Sequence, residues 1–101
     1  MVRSELVQVL CKKLPHIMES DVELSVNCIL EQIAQALETG ERIEIRNFGA
    51  FSVRHRAPRK ARNPKTGETV YLPAKSAIHF KPGKAMRDKV NDQRNQYSIK
   101  D

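Results

Sequence analysis

Apolar and polar positions in residues 1–40 recur with the period of an α-helix. A first helix is predicted over residues 4–14, and Pro15 ends it. A second helix is predicted to begin at a capping box, formed by Ser20 and Glu23, and to end at Gly40. The apolar positions of the first helix are Leu6, Val9, Leu10 and Leu14. Those of the second are Val22, Val26, Ile29, Leu30, Ile33 and Leu37. Together they predict an antiparallel helical hairpin.

The period changes to two after Gly40, which indicates β-strands. Residues 42–46 alternate charged and apolar side chains, and a turn is predicted at residues 47–50 before a second strand begins. The residues expected to face inward are Ile43, Ile45, Phe51 and Val53.

Apolar positions become scarce from about Arg56 to Thr69, where Gly67 favours a turn. A strand then returns, bent or bulged near Pro73. Its apolar positions are Val70, Leu72, Ile78 and Phe80. A strand, a polar tip and a returning strand predict a hairpin that extends beyond the body of the protein. We call this hairpin, at about residues 55–73, the arm.

These elements predict an α+β fold with an N-terminal helical hairpin, a three-stranded antiparallel sheet that carries the long protruding β-arm, and a short C-terminal helix. The C-terminal helix is predicted over residues 84–91 and is expected to pack through Met86 and Val90. Residues 1–91 are expected to form a single domain, and residues 92–101 a polar extension.

Aromatic residues are sparse, with three Phe, two Tyr and no Trp. A domain this small buries a modest fraction of its surface and is often stabilised by association. The apolar stripe on the helices is also wider than one small sheet needs. We therefore predict an intertwined dimer with Phe48, Phe51 and Phe80 near the shared core, and a monomer is the alternative.

The net charge of +6 is distributed unevenly along the chain. Residues 1–53 contain 5 Lys/Arg against 8 Asp/Glu, whereas residues 54–101 contain 13 against 4. The segment from Arg54 to Lys65 holds six cations and no acid. An ordinary solvated face is the alternative interpretation. An imbalance this large favours a polyanionic partner, of which nucleic acid is the common one.

Other classes of site have little support in the sequence. Cys11 and Cys28 lie within helical patterns and are interpreted as half-buried thiols. His16, His55 and His79 lack the spacing of metal ligands. The chain has no nucleophile with a neighbouring base, no phosphate-binding loop and no apolar run of membrane length. We expect no enzymatic activity, cofactor, metal, membrane association or small-molecule substrate.

Three segments carry a family resemblance: residues 40–51 (GERIEIRNFGAF), residues 62–67 (RNPKTG) and residues 80–84 (FKPGK). Together they resemble the HU and integration host factor family of bacterial DNA-binding proteins over about residues 3–91. The hexapeptide RNPKTG is the most specific of the three.

Within that family, the alternating charges from Arg42 to Arg46 are most similar to the beta-type subunits of integration host factor. The chain departs from the family pattern at Asn47 and Ala61, where glycine is usual, and in a tail beyond Asn91 that is longer than usual. The two replaced glycines are expected to stiffen the local backbone.

The resemblance implies the DNA-binding fold of integration host factor, in which two arms, one from each subunit, reach around duplex DNA and bend it from the minor groove. Pro64 has a rigid apolar ring and no N–H, which suits the insertion between base pairs by which this family kinks DNA. Its alternative role is to shape a turn. The arm residues expected to bind DNA are Arg54, Arg56, Arg59, Lys60, Arg62, Asn63 and Lys65.

The residues of the body expected to bind DNA are Arg3, Arg42, Glu44, Arg46, Lys81 and Lys84. Glu44 is expected to orient Arg46, and a cross-strand charge pair is the alternative. A beta-type subunit implies a heterodimer with a related alpha-type subunit and preferred DNA sites, whereas an HU-like chain implies a homodimer that tolerates many sequences. The resemblance also implies a cytoplasmic location in the bacterial nucleoid. RNA binding is less favoured because Tyr71 is the only aromatic residue near the tip that could stack on a base.

Overall fold

The computed structural model describes residues 1–96, which form three helices and five strands. The helices are α1 (Arg3–Lys13), α2 (Glu19–Glu38) and α3 (Lys84–Asp92). The strands are β1 (Ile43–Ile45), β2 (Gly49–Arg56), β3 (Arg59–Arg62), β4 (Thr69–Leu72) and β5 (Lys75–Pro82). The predicted α+β order of elements is confirmed. Part of the predicted polar extension, residues 97–101, lies outside the described residues.

The chain divides into two compact units, one of residues Met1–Ala36 and one that begins at Leu37. In the first unit, Val7, Val22 and Val26 are buried at the centre of an apolar cluster. Leu6, Leu10 and Cys11 pack around them. Val9, predicted to face inward, is 39% exposed. The apolar stripe of α1 therefore runs through Val7 rather than Val9, because Val7 lies one turn before Leu10 and Cys11.

The predicted capping box at Ser20 is wrong. Helix α2 begins at Glu19, so Ser20 lies within its first turn. The N–H groups of Asp21 and Val22 both donate to the backbone carbonyl of Met18, at 3.0 and 3.1 Å. The acidic side chains in this turn, Glu19 and Asp21, interact favourably with the positive end of the helix dipole.

The C-terminal end of α2 follows the prediction. Gly40 adopts a φ of +80°, and its N–H donates to the carbonyl of Leu37 at 3.0 Å. A side chain at this position would be strained, which is why glycine commonly follows a helix.

The second unit contains a sheet with the strand order β1-β2-β5, antiparallel throughout. Phe51 lies opposite Ile43 on one side and Phe80 on the other. The turn between β1 and β2 is made by residues 46–48, and Asn47 has a φ of +67° within it. The left-handed region favours glycine, and asparagine is one of the few other residues that tolerate it.

The arm extends from the three-stranded sheet, and a break that we call the elbow separates two ladders along it. The inner ladder pairs β2 with β5 as far as Arg56 and Lys75, and the outer ladder pairs β3 with β4 from Arg59 and Leu72 outward. The elbow between them is residues 57–58 and 73–74, which include Pro58 and Pro73. Proline has no N–H to donate, so neither strand continues its ladder through the elbow. The predicted irregularity near Pro73 is confirmed, and it extends to both strands.

Helix α3 follows Gly83, whose N–H donates to the carbonyl of Phe48 at 2.8 Å. This bond joins the start of α3 to the turn between β1 and β2. Met86 is half-buried on α3, whereas Val90 is 55% exposed, so the predicted packing through Val90 is not made within the single chain. Within residues 1–96, no helix is both long and apolar enough to cross a membrane.

Candidate nucleic-acid interface

The sheet register separates a basic face from an apolar face. Residues directly opposite each other in an antiparallel ladder project from the same side of the sheet. Arg54 lies opposite Ala77, and Arg56 lies opposite Lys75. The alternation therefore places one set of residues together on what we call the basic face. This set is Glu44, Ala50, Ser52, Arg54, Arg56, Lys75, Ala77, His79 and Lys81.

Small residues alternate with larger ones on the basic face. Ala50 lies opposite Lys81, Ser52 lies opposite His79, and Ala77 lies opposite Arg54. Small residues let a bulky partner approach the sheet, and the surrounding Lys and Arg side chains can then reach its phosphates. This arrangement suits the backbone of a nucleic acid.

The opposite face carries an aromatic cluster. The ring centroid of Phe80 lies 5.5 Å from that of Phe48 and 4.8 Å from that of Phe51, in tilted arrangements. The three residues predicted for a dimer core are thus brought together within the chain. Phe48 and Phe80 remain 42% and 36% exposed, and Ile78 on the same face is 65% exposed.

An open groove of about 510 Å³ lies beside the turn between β1 and β2. Five of the six residues predicted for the body of the DNA site line it: Arg42, Glu44, Arg46, Lys81 and Lys84. Arg87 also lines this groove and was missed by the sequence analysis. It follows Lys84 by three residues on α3, so both point to the same side of a helix.

Glu44 pairs with Arg42 rather than with Arg46, so the expected role of orienting Arg46 is wrong. The Nε atom of Arg42 donates to the Oε1 atom of Glu44 at 3.0 Å, and the Nη2 atom of Arg42 lies 2.9 Å from the same oxygen. Residues two apart on an extended chain share a face, which brings Arg42 to Glu44. Arg46 lies in the turn, where the extended backbone ends. The residue opposite Glu44 on β2 is Ala50, so the alternative of a cross-strand charge pair is not formed there.

Arg3 belongs to the helical unit, where it is exposed and its guanidinium donates to the side-chain oxygen of Asn27. Lys75 was missed because its position opposite Arg56 depends on the strand register, which charge patterning alone does not reveal. Within residues 1–96, no three His, Cys, Asp or Glu side chains are grouped as metal ligands.

The outer ladder of the arm also has two different faces. Arg59 and Leu72 share one face with Ala61 and Val70. The other face carries Lys60 opposite Tyr71 and Arg62 opposite Thr69. The Nζ atom of Lys60 lies 5.5 Å from the centre of the Tyr71 ring, within the range of a cation–π interaction.

The tip of the arm is held by bonds to Asn63. Its N–H donates to the carbonyl of Glu68 at 2.9 Å, and its carbonyl accepts from Gly67 at 2.8 Å. Its side-chain oxygen accepts from the N–H of Lys65 at 2.9 Å. The side-chain nitrogen of Asn63 is then the atom that can donate a hydrogen bond to the acceptors in the minor groove.

Pro64 is exposed at the tip, between Asn63 and Lys65. The tip also contains an N–H of Glu68 that donates to the hydroxyl of Thr66 at 3.3 Å, and a Gly67 with a φ of +74°. These local bonds close the loop without using the proline ring. Pro64 therefore presents an apolar, rigid surface on a loop that is closed by its own hydrogen bonds.

The basic face and part of the groove belong to the three-stranded sheet, and the outer ladder of the basic arm is a separate two-stranded sheet beyond the elbow. A family model described as bacterial DNA-binding protein matches residues 1–91. The chain belongs to this family. The predicted resemblance to HU and integration host factor is confirmed.

Similar proteins extend the comparison. An integration host factor subunit beta from Hahella chejuensis is 58% identical over 91 residues, which cover 90% of this chain and 93% of that protein. A subunit of the same name from Halorhodospira halophila is 50% identical over 100 residues, covering 99% of this chain and 98% of the relative. That alignment includes nearly all of the C-terminal tail.

Solved structures show the same fold. A cocrystal structure of Anabaena HU with DNA has a TM-score of 0.78 and 33% identity, covering 89% of this chain and 97% of that one. HU from Thermotoga maritima has a TM-score of 0.61 and 31% identity, covering 89% of this chain and 98% of that one.

Proposed function

We propose that this chain is a beta-type subunit of integration host factor, an architectural protein that binds duplex DNA through the minor groove and bends it. The observation that carries the proposal is the tip of the arm, where an exposed Pro64 stands on a loop closed by Asn63. Relatives of that name, at 50–58% identity over most of the chain, support the subunit type.

Most of the residues proposed to contact DNA are cations, which hold the DNA backbone. The proposed arm set is Arg54, Arg56, Arg59, Lys60, Arg62, Asn63 and Lys65, and the proposed body set is Arg3, Arg42, Glu44, Arg46, Lys81 and Lys84. Lys75 and Arg87 join them because the register and the groove bring them to the same surfaces. Cations that neutralise phosphates release the counterions condensed on DNA, which drives binding.

Pro64 supplies the kink. A side chain that enters between two base pairs must unstack them, at a cost of a few kcal/mol. The pyrrolidine ring brings no polar group that would lose a hydrogen bond there. The contacts along the arm and the body offset the cost, because bent DNA lies against more of the protein surface.

A dimer completes the proposed site, since one arm does not encircle a duplex. The apolar face of the sheet supports it: Phe48, Ile78 and Phe80 are substantially exposed in the single chain. Ile29 and Leu30 on α2 are exposed as well. Burial of such residues against a second subunit is the main driving force of association. Residues 1–91 act as one functional unit in this proposal.

An HU-like homodimer is the second candidate, favoured by the likeness to the Anabaena HU structure. The two candidates differ in partner and in sequence preference. Co-purification with a related alpha-type chain and localised footprints support the beta-type subunit. A homodimer with unlocalised footprints supports the HU-like protein. In both, the protein acts in the cytoplasm on the bacterial nucleoid and carries no catalytic residues.

Duplex binding at several salt concentrations tests the proposed grip. If about five cations per arm engage, two arms neutralise roughly ten phosphates and the log–log salt slope is about −9. A slope shallower than about −3 contradicts a two-arm grip. Competition with single-stranded RNA is the control, because a protein that prefers RNA would lose the duplex to it.

A further inference from the structure

The outer ladder of the arm carries one aromatic ring, that of Tyr71, and this residue is 72% exposed. The strand register places Lys60 directly opposite Tyr71, and side chains in such positions lie close enough to interact. The apolar residues of β4, Val70 and Leu72, project from the other face of the ladder. Tyr71 is therefore placed to act on Lys60 rather than to extend the apolar face.

The ring of Tyr71 holds the ammonium group of Lys60. The Nζ atom of Lys60 lies over the ring, 5.5 Å from its centre, where the negative face of the aromatic system attracts a cation. Within residues 1–96, no carboxylate forms an ion pair with Lys60. A lysine side chain is flexible, and ordering it on binding costs conformational entropy. Contact with the ring removes part of this cost before any ligand arrives.

An aromatic ring orders a cation without neutralising it. The pair of Arg42 and Glu44 is the contrast, because there a carboxylate orients a guanidinium group and offsets its charge. The ring of Tyr71 is uncharged, so Lys60 keeps its full positive charge. Arg62 projects from the same face of the ladder and repels Lys60, and the ring opposes that displacement. A cation–π interaction at an exposed site is weak, so the ammonium group can still bind an anion.

We propose that Tyr71 is a positioning residue for DNA binding, whose ring holds the Lys60 ammonium group in the orientation from which it contacts the duplex. The inference rests on the proposed function, since Lys60 belongs to the proposed arm set. It adds an uncharged residue that the charge pattern of the sequence does not reveal. Tyr71 acts through Lys60, and the aromatic ring rather than the hydroxyl group performs this role.

The contact between the two side chains is tested first, by NMR on the full chain without DNA. Protons that lie over an aromatic ring resonate upfield because of the ring current. We expect upfield-shifted side-chain methylene resonances of Lys60 in wild type and in Tyr71→Phe, and ordinary ones in Tyr71→Leu. Ordinary resonances in wild type overturn the proposal, whether or not the protein binds DNA.

Duplex binding at several salt concentrations then separates positioning from packing. Each phosphate contact that is lost makes the log–log salt slope shallower by about 0.9, and Lys60→Gln is expected to lose one contact for each arm that carries it. Tyr71→Leu is expected to make the slope shallower by the same amount, although it removes no charge. It should also weaken binding by about two- to fivefold for each such arm. Tyr71→Phe keeps the ring, so we expect the slope and affinity of wild type.

Val70→Ala is the matched control, because it removes apolar surface from the other face of the same strand and should leave the slope unchanged. Weaker binding by Tyr71→Leu with an unchanged slope overturns the proposal, since the ring then contacts DNA itself or only stabilises the ladder. An unchanged slope in Lys60→Gln, or a Tyr71→Phe variant that behaves like Tyr71→Leu, overturns it as well. Failure of the proposed function is a different result: wild type then does not bind the duplex, while the Lys60 resonances still report the contact with the ring.

Discussion

Gly49 lies against the ring of Phe80 so closely that a side chain has no space there. A Cβ atom on Gly49 would meet the ring at 2.6 Å and the carbonyl of Lys81 at 2.7 Å. This contact fixes the start of β2, and with it the turn that carries Arg46 to the groove.

Gly49→Ala is therefore expected to destabilise the fold by about 1–3 kcal/mol, the usual cost of overpacking a well-packed site. Gly83→Ala is the matched control, because its Cβ would lie 3.4 Å from the backbone of Phe48, an ordinary van der Waals distance. Urea unfolding of both variants at one protein concentration measures the difference. Equal free energies of unfolding for the two variants would show that the ring of Phe80 moves aside at little cost.

Asn47 occupies a backbone conformation that glycine adopts at little cost. Its φ of +67° predicts that Asn47→Ala destabilises the protein by at most about 1–2 kcal/mol, because both residues carry a Cβ but only the short polar side chain of asparagine can offset part of the cost by local hydrogen bonding. Asn47→Gly is expected to keep the stability or raise it, since glycine relieves the strain. Thermal unfolding ranks the three proteins, and an alanine variant as stable as the wild type contradicts this role of the turn.

The pair between Arg42 and Glu44 is expected to matter for DNA binding more than for stability. Their side chains are 61% and 71% exposed, so Glu44→Gln should change stability by less than about 1 kcal/mol. The change removes a negative charge from the groove and leaves Arg42 without its partner carboxylate. We expect tighter binding to random duplexes and a salt slope steeper by about one unit.

Glu44→Asp is the control for that variant, because it keeps the charge while shortening the side chain. The two are compared by gel shift on the same random duplex at several salt concentrations. Unchanged affinity and slope in Glu44→Gln would mean that Arg42 does not reach the DNA.

Much of the fold was predictable because its signals are local. The change from a helical period to a period of two located the boundary at Gly40, and RNPKTG located the tip of the arm. The capping box failed because a serine and a glutamate at the right spacing also fit inside a first helical turn. Val9 fits the predicted apolar face, but packing against α2 buries Val7 and leaves Val9 exposed.

The sequence indicates which segments of the candidate site are positively charged, but not which residues lie next to each other in it. Charge density identified the cations of the arm, whereas Lys75 became visible only through its register with Arg56. Arg87 is recognised as part of the candidate site only because it lines the groove beside α3. Glu44 was correctly placed on the strand but assigned to the wrong arginine, because two neighbours at equal sequence distance compete for one carboxylate and the turn removes Arg46 from the competition.

In the proposed function, Pro64 bends the DNA and the cations hold it. Pro64→Ala should keep most of the affinity, since the contacts to phosphate remain, and Lys65→Gln is the control that weakens a backbone contact without removing the wedge. The most direct measurement is FRET between dyes at the two ends of a duplex, at saturating protein. We expect a clearly longer end-to-end distance with Pro64→Ala than with wild type or Lys65→Gln. An unchanged distance with Pro64→Ala would contradict it.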